Sequence, residues 1–274
     1  MLAIKDKMIA KKIANGTGAE IAVRALSFGR RKGLCIWFND LGGEKYGPIA
    51  EIKPYGLKSH DVRIYFGSFS APTIYKITRA STEAIQLARL LVKSIVSSPD
   101  LDIKGQNIDD WLITDGSFEI NARYTHKQSL PNDDAAINET CDELIIPFMA
   151  ALAELIGYEV VDIQSEIPAI DGAISIATIS RRERNRRNRL LCLRIHGEIC
   201  KGCNLLPKKI YNTAGNIIEV HHLEPVSMLK TPRAYNPETD LIPLCPNCHR
   251  AVHTRSPWPL SLQELRDLMS AKDD

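Results

Sequence analysis

Four cysteines and four histidines near the C-terminus of the 274-residue sequence are spaced for metal chemistry. Cys200-x2-Cys203 and Cys245-x2-Cys248 form two knuckles, each presenting two thiolates to one tetrahedral ion. A four-cysteine set closes that shell, which is the mark of a structural zinc rather than a catalytic one. The competing reading is two chance cysteine pairs in a reduced protein, and two knuckles within one short stretch argue against it. The 41 residues between the knuckles, 204 to 244, are longer than a compact ribbon needs, so the clamp must staple an insert.

That insert holds His221 and His222, and beyond the second knuckle come His249 and His253. Ile217-Ile218-Glu219-Val220 is β-branched and mostly apolar, which predicts a strand ending in the two histidines. Adjacent strand residues face opposite sides, so His221 and His222 must serve different roles. His249 and His253 are four apart on a predicted short helix, which puts both rings on one face. A strand histidine and one or two helix histidines leave coordination positions open to water and phosphate, as catalytic metals require.

Val220-His221-His222-Leu223-Glu224-Pro225, followed by Leu244-Cys245-Pro246-Asn247-Cys248-His249 and His253, resembles the HNH nucleases. Within them it resembles the McrA-like branch with four zinc cysteines, over about residues 180–270. The resemblance implies a ββα-metal finger and a metal-dependent endonuclease that hydrolyses DNA phosphodiesters, a restriction-type enzyme open to modification dependence. It implies His221, His249 and His253 as ligands of a catalytic divalent ion (Mg2+, Mn2+ or Ni2+), and His222 as the general base. Asp240 stands five residues before Cys245, where the family pattern usually has Asn. An Asp there could hold the loop and orient His222, and its charge would raise the pKa of the base.

The elements that must position these groups are less marked. Net charge is only +2, but Arg181, Arg182, Arg184, Arg186, Arg187 and Arg189 crowd six guanidinium groups into nine residues just before the first knuckle. Arginine forks match phosphate oxygens, so the run is read as a DNA-backbone clamp on a helix leading through Leu190, Leu191, Leu193 and Ile195 into the zinc site. Seven cysteines with four in knuckles fit a reducing cytoplasm, and no run of about 20 apolar residues marks a membrane span. The sequence also lacks a secretory signal pattern. Cys35, Cys141 and Cys192 are then small apolar groups for a core.

The expected fold is α+β: a mixed, sensor-like DNA-recognition domain over 1–160, a linker over 161–180 and a zinc-stapled nuclease domain over 181–274. In the first domain we expect helices over 1–14, 81–97 and 133–158, the last kinked or split at Pro147. Strands are expected at 33–38, 49–53, 62–66, 111–113 and 118–120. His60 and His126 read as isolated core or surface residues. Ser261-Leu262-Gln263-Glu264 is a capping box for a C-terminal helix packing through Leu262, Leu265 and Leu268. Two other classes compete with a DNA nuclease. One is a zinc-stapled DNA-binding module without cleavage, and the other a nuclease acting on RNA or branched nucleic acid. The sequence leaves a homodimer open.

Overall fold

The structure, a computed structural model, describes residues 2–28, 31–95, 100–127, 134–158, 186–224, 233–255 and 258–270. The chain divides into two compact units, Met1–Glu159 and Val160–Asp274. The expected linker lies outside the described residues, as do Arg181, Arg182 and Arg184.

The first unit is one antiparallel sheet with helices on one face. Helix α1 (Leu2–Thr17) leads into strands β1 (Ile21–Phe28), β2 (Arg31–Phe38), β3 (Pro48–Tyr55) and β4 (Ser59–Phe66). Helices α2 (Ala71–Ile77) and α3 (Thr82–Lys93) precede the last strand, β5 (Glu119–Thr125). The sheet is a simple meander, in the order β1-β2-β3-β4-β5. Along β4, His60, Val62, Ile64 and Phe66 are buried, while Asp61, Arg63 and Tyr65 face the open side. On that open side Arg63 pairs with Glu119 and Arg123 with Asp61, across the β4–β5 register. Cross-strand pairs of opposite charge suit a solvated face. Ser81 caps α3 by accepting a bond from the Ala84 N–H, as its sequence predicts.

The 133–158 segment is divided much as Pro147 requires. It runs as α4 (Asp134–Thr140), one π turn over Cys141–Ile145, and α5 (Ile146–Ile156). Pro147 sits in the first turn of α5, directly after the π turn, so the helical ladder changes where the proline N–H is missing. All of α5 but Glu154 is buried, and it packs against α1 and α3. Gly157 ends it in the left-handed region, at φ 83°.

Two expectations need correction here. The 111–113 stretch is a loop rather than a strand, with both polar groups of the Gln106 side chain bonded to the backbone of Leu112. Strand β1 and helix α2 lie in stretches for which no element is expected from the sequence. His60 and His126 are not isolated, because their rings meet edge-on in the core and His126 Nε2 lies 3.1 Å from His60 Nδ1. Thr140 lies 2.7 Å from His60, and the partly exposed Glu139 lies 2.9 Å from His126.

The second unit is small. Helices α6 (Arg186–His196) and α7 (Pro207–Tyr211) precede β6 (Glu219–His222) and β7 (Leu241–Leu244). Helices α8 (Pro246–Val252) and α9 (Leu262–Ser270) follow. The two strands pair antiparallel, with His221 opposite Ile242 and His222 opposite Leu241. The core consists of Ile218, Leu244, Val252 and Leu265 around Cys200, Cys245 and Cys248. The capping box of α9 is reciprocal: the Ser261 N–H donates to Glu264, and the Glu264 N–H donates to the Ser261 hydroxyl. Leu265 packs inward as expected, whereas Leu268 is exposed, which corrects its assignment to the packed face.

Candidate metal centres

The first knuckle is shaped by its backbone. The Cys200 N–H donates to Leu205 O and the Asn204 N–H donates back to Cys200 O, with Asn204 at φ 59°. Gly202 lets the turn approach the second knuckle. A Cβ there would lie 3.0 Å from both Cys248 Sγ and a Leu265 methyl. Pro243 cannot donate to a ladder, but its carbonyl accepts from the Lys201 N–H and ties β7 to the first knuckle.

The four sulfurs of Cys200, Cys203, Cys245 and Cys248 lie within 4.8 Å of one another, and Cys203 Sγ is 3.8 Å from Cys245 Sγ. A tetrahedral zinc with Zn–S of about 2.3 Å sets its sulfurs about 3.8 Å apart. The donor set therefore fits zinc. Burial and the neighbouring sulfurs push the Cys248 thiol upward. Burial also opposes a Cys200 thiolate, but backbone N–H groups of Cys203, Cys245 and Gly202 draw its pKa below the ordinary value.

The second centre shares helix α8 with the first. Cys245 caps the helix N-terminus, accepting from the Cys248 N–H, and His249 follows Cys248 directly. His253 is the C-terminal cap residue. Fixing the cysteines thus fixes the direction in which His249 leaves the helix. His221 comes in from β6, and nitrogens of His221, His249 and His253 lie within 4.8 Å of one another. A divalent ion with metal–nitrogen distances of about 2.0–2.1 Å brings such atoms to about 3–4 Å apart, a small side-chain adjustment. His221 is buried, His249 half-buried and His253 exposed, so the centre has a wall on one side and solvent on the other.

Glu219, which the sequence reading left as a polar interruption in a strand, belongs to this centre. Its carboxylate lies 2.5 Å from His249 Nδ1. A carboxylate there holds Nδ1 as the donor and leaves Nε2 as the lone pair for an ion. The signal was available in the alternation of β6, which sets Glu219 and His221 on one face.

His222 points the other way, half-buried, with its ring edge-on to Tyr235 at 4.7 Å. The Tyr235 hydroxyl donates to Glu224 O, and Arg233 lies over the Tyr235 ring while bonding the carboxylates of Glu224 and Asp240. Asp240 holds the loop between the two strands. Its carboxylate bonds Arg233 and the Asn236 N–H, and its charge is balanced by Arg233. Burial pushes the Asp240 carboxyl up, but those bonds win and hold it below the usual carboxylate range. The Tyr235 ring that Arg233 supports packs against His222.

Residues 199–255 match the family model for HNH endonuclease. The second unit thus carries an HNH domain, with the cysteine clamp and the three histidines built into it. No curated protein and no solved structure matches the chain. Among the described residues, no helix is long and apolar enough to cross a membrane.

The arginine run divides. Arg187 is buried, at 3 % exposure, so its guanidinium is not offered to a phosphate; the helix turns it inward. Arg189 is an exposed residue whose Nη2 donates to Ile218 O at 2.7 Å, tying α6 to the residue before β6.

Proposed function

We propose that the chain is a metal-dependent DNA endonuclease of restriction type. The observation that carries this reading is the convergence of His221, His249 and His253 beside a separately stapled helix, with His222 on the opposite face of the same strand. A divalent ion held by the three histidines would supply Lewis-acid stabilisation of the phosphoryl group and the leaving oxygen. His222 would take a proton from the attacking water, a contribution worth roughly 10²–10⁴ in rate. The P–O3′ bond breaks, leaving a 5′ phosphate and a 3′ hydroxyl. Glu219 holds His249 in place, and the Arg233–Tyr235 pair supports His222. Zinc in the four-cysteine clamp is structural in this reading. The finger touches mostly backbone, and sequence or base-modification preference comes from the first unit.

The test is nicking of supercoiled plasmid by the full chain with magnesium, manganese or nickel. We expect metal-dependent nicks that chelation of the weaker-bound ion abolishes. DNA binding without nicks under every metal would make the domain a zinc-stapled reader. Preferential cleavage of RNA or junction competitors would change the substrate class. Comparing DNA with and without defined base modifications tests modification dependence.

A further inference from the structure

Two loops at one end of the five-stranded sheet hold a pair of aromatic rings out to solvent. Tyr46 lies in the connection between β2 and β3, and Phe69 in the connection between β4 and α2. The rings are 5.6 Å apart and tilted by 37°, and the residues are 44 % and 56 % exposed. Single exposed apolar residues are ordinary, but adjacent exposed rings form a patch, and patches mark interaction surfaces.

The loops are stapled to each other. The Phe69 N–H donates to Lys45 O, the Gly67 N–H to Gly47 O and the Thr73 hydroxyl to Tyr46 O. They approach so closely that a Cβ on Gly67 would lie 2.4 Å from Lys45 O. Gly42, at φ 97°, sits where a Cβ would touch the Tyr46 ring at 3.7 Å, so glycine leaves that part of the ring uncovered. The charge on these loops and α2 is mostly of one sign. Glu44 pairs with Arg24, and Asp40 accepts from the Tyr158 hydroxyl. Among the described residues, Lys45, Lys76 and Arg79 are exposed and make no ion pair.

We propose that Tyr46 and Phe69 form a stacking platform for an unpaired nucleobase of a DNA strand, with Lys45 on a flanking phosphate. Rigid aromatic rings beside an excess of cations suit a base and its backbone together. In a duplex the base faces are already stacked on their neighbours, so only an unpaired or extruded base offers one. Stacking accepts any base face, so the platform supplies a hold on an opened strand rather than a sequence code. The proposal rests on the DNA-nuclease reading and names a surface of the first unit that meets bases.

The experiment measures binding of the full chain, without added divalent ions, to a fluorescent oligothymidylate and to the same backbone carrying abasic spacers. The two strands have equal charge, so the difference between them isolates the bases. Wild type should bind the thymidylate about fivefold or more tighter, the usual effect of one stacked base. Tyr46→Ala and Phe69→Ala should each bring that ratio toward one without changing the salt dependence, and Tyr46→Phe should retain it. Lys45→Ala should keep the ratio and flatten the salt slope by about 0.7, one phosphate contact on a single strand. Both rings are on the surface, so melting temperatures should not change. A ratio of one in wild type, or an unchanged ratio in both alanine variants, would overturn the proposal. So would loss of self-association in Tyr46→Ala, which would make the partner a second copy of this chain. Plasmid nicking by a wild type whose ratio is one would overturn the platform alone. Base-dependent binding with no nicking under any metal would overturn the nuclease reading and leave the platform standing.

Discussion

Glu219 and His249 meet at 2.5 Å, so a single four-residue strand supplies one candidate ligand in His221 and, two residues away, the group that orients another. Removing such a carboxylate typically costs about 10–100-fold in metal affinity or activity. Glu219→Ala should therefore slow nicking by about that factor at limiting metal and recover in excess metal. Zinc content and melting temperature should not change, because the clamp lies on separate residues. Wild-type rates at limiting metal would remove Glu219 from the site.

His221 and His222 provide a sharper contrast. They are neighbours on β6 with opposite facings: His221 is buried with the other two histidines, and His222 stands against Tyr235. His221→Ala should weaken metal binding, so its lost activity should return in part as metal is raised. His222→Ala should abolish cleavage with fold, zinc and DNA affinity intact, and metal should not rescue it. A small external base such as imidazole should restore some activity to it. Nicking rate against metal concentration for both variants decides the matter. Rescue of His222→Ala by metal, with none for His221→Ala, would reverse the two roles.

The features legible in the sequence were those written in local spacing. Two CxxC pairs, a strand-end HH and a pair of histidines four apart need no knowledge of the tertiary fold to be grouped. The Ser81 cap, the Ser261–Glu264 box and the Gly157 stop were legible for the same reason. Other features needed the chain to close on itself. Glu219 becomes a partner of His249 only when β6 lies beside α8. His60 and His126 are 66 positions apart and meet only through the β4–β5 pairing and the strand end beyond it. Arg187 looks like its neighbours in sequence, and only the rotational phase of α6 turns it into the core. Asp240 occupies the family's Asn position, but Arg233 takes its carboxylate, a choice that residue type alone does not contain.

The cysteine clamp should be essential to the second unit alone. Its core has few large apolar side chains besides the cysteines. Structural zinc contributes about 10–16 kcal/mol of apparent free energy in small domains, comparable to the whole stability of an ordinary one. Cys203→Ser or Cys248→Ser should release the zinc and unfold this unit, while the five-stranded sheet stays folded. Zinc analysis with residue-resolved hydrogen exchange would show it. A variant that kept one zinc and full thermal stability would refute the structural assignment.

The arginines should separate into two kinds. Arg187→Ala should lower stability without changing the salt dependence of DNA binding, because the side chain is buried. Neutralising Arg181, Arg182, Arg184 and Arg186 together should flatten the salt slope by up to about 0.9 per lost phosphate contact, regardless of DNA sequence. Arg189→Ala should act on both, because its guanidinium also holds Ile218 O. An unchanged slope in the four-site variant would make that part of the run a solvated face.

The anchoring of α9 should depend on acid. Glu264 accepts from Arg255 and from the Ser261 N–H, and these bonds lower its pKa from 4.5 to about 2. A carboxylate depressed in the folded state contributes stability that is full above its unfolded pKa and lost as pH falls through the folded one. The contribution should therefore persist at neutral pH and fade between about pH 4.5 and 2. Leu265 on the same helix packs against the Gly202 knuckle, so loosening α9 should uncover one side of the cysteine clamp. Glu264→Gln should melt at a lower temperature than wild type near neutrality, and the gap should close as pH approaches the lower limit. Melting curves of both proteins across that range supply the check. A gap that stayed constant with pH would mean that the capping geometry, and not the charge, holds the helix.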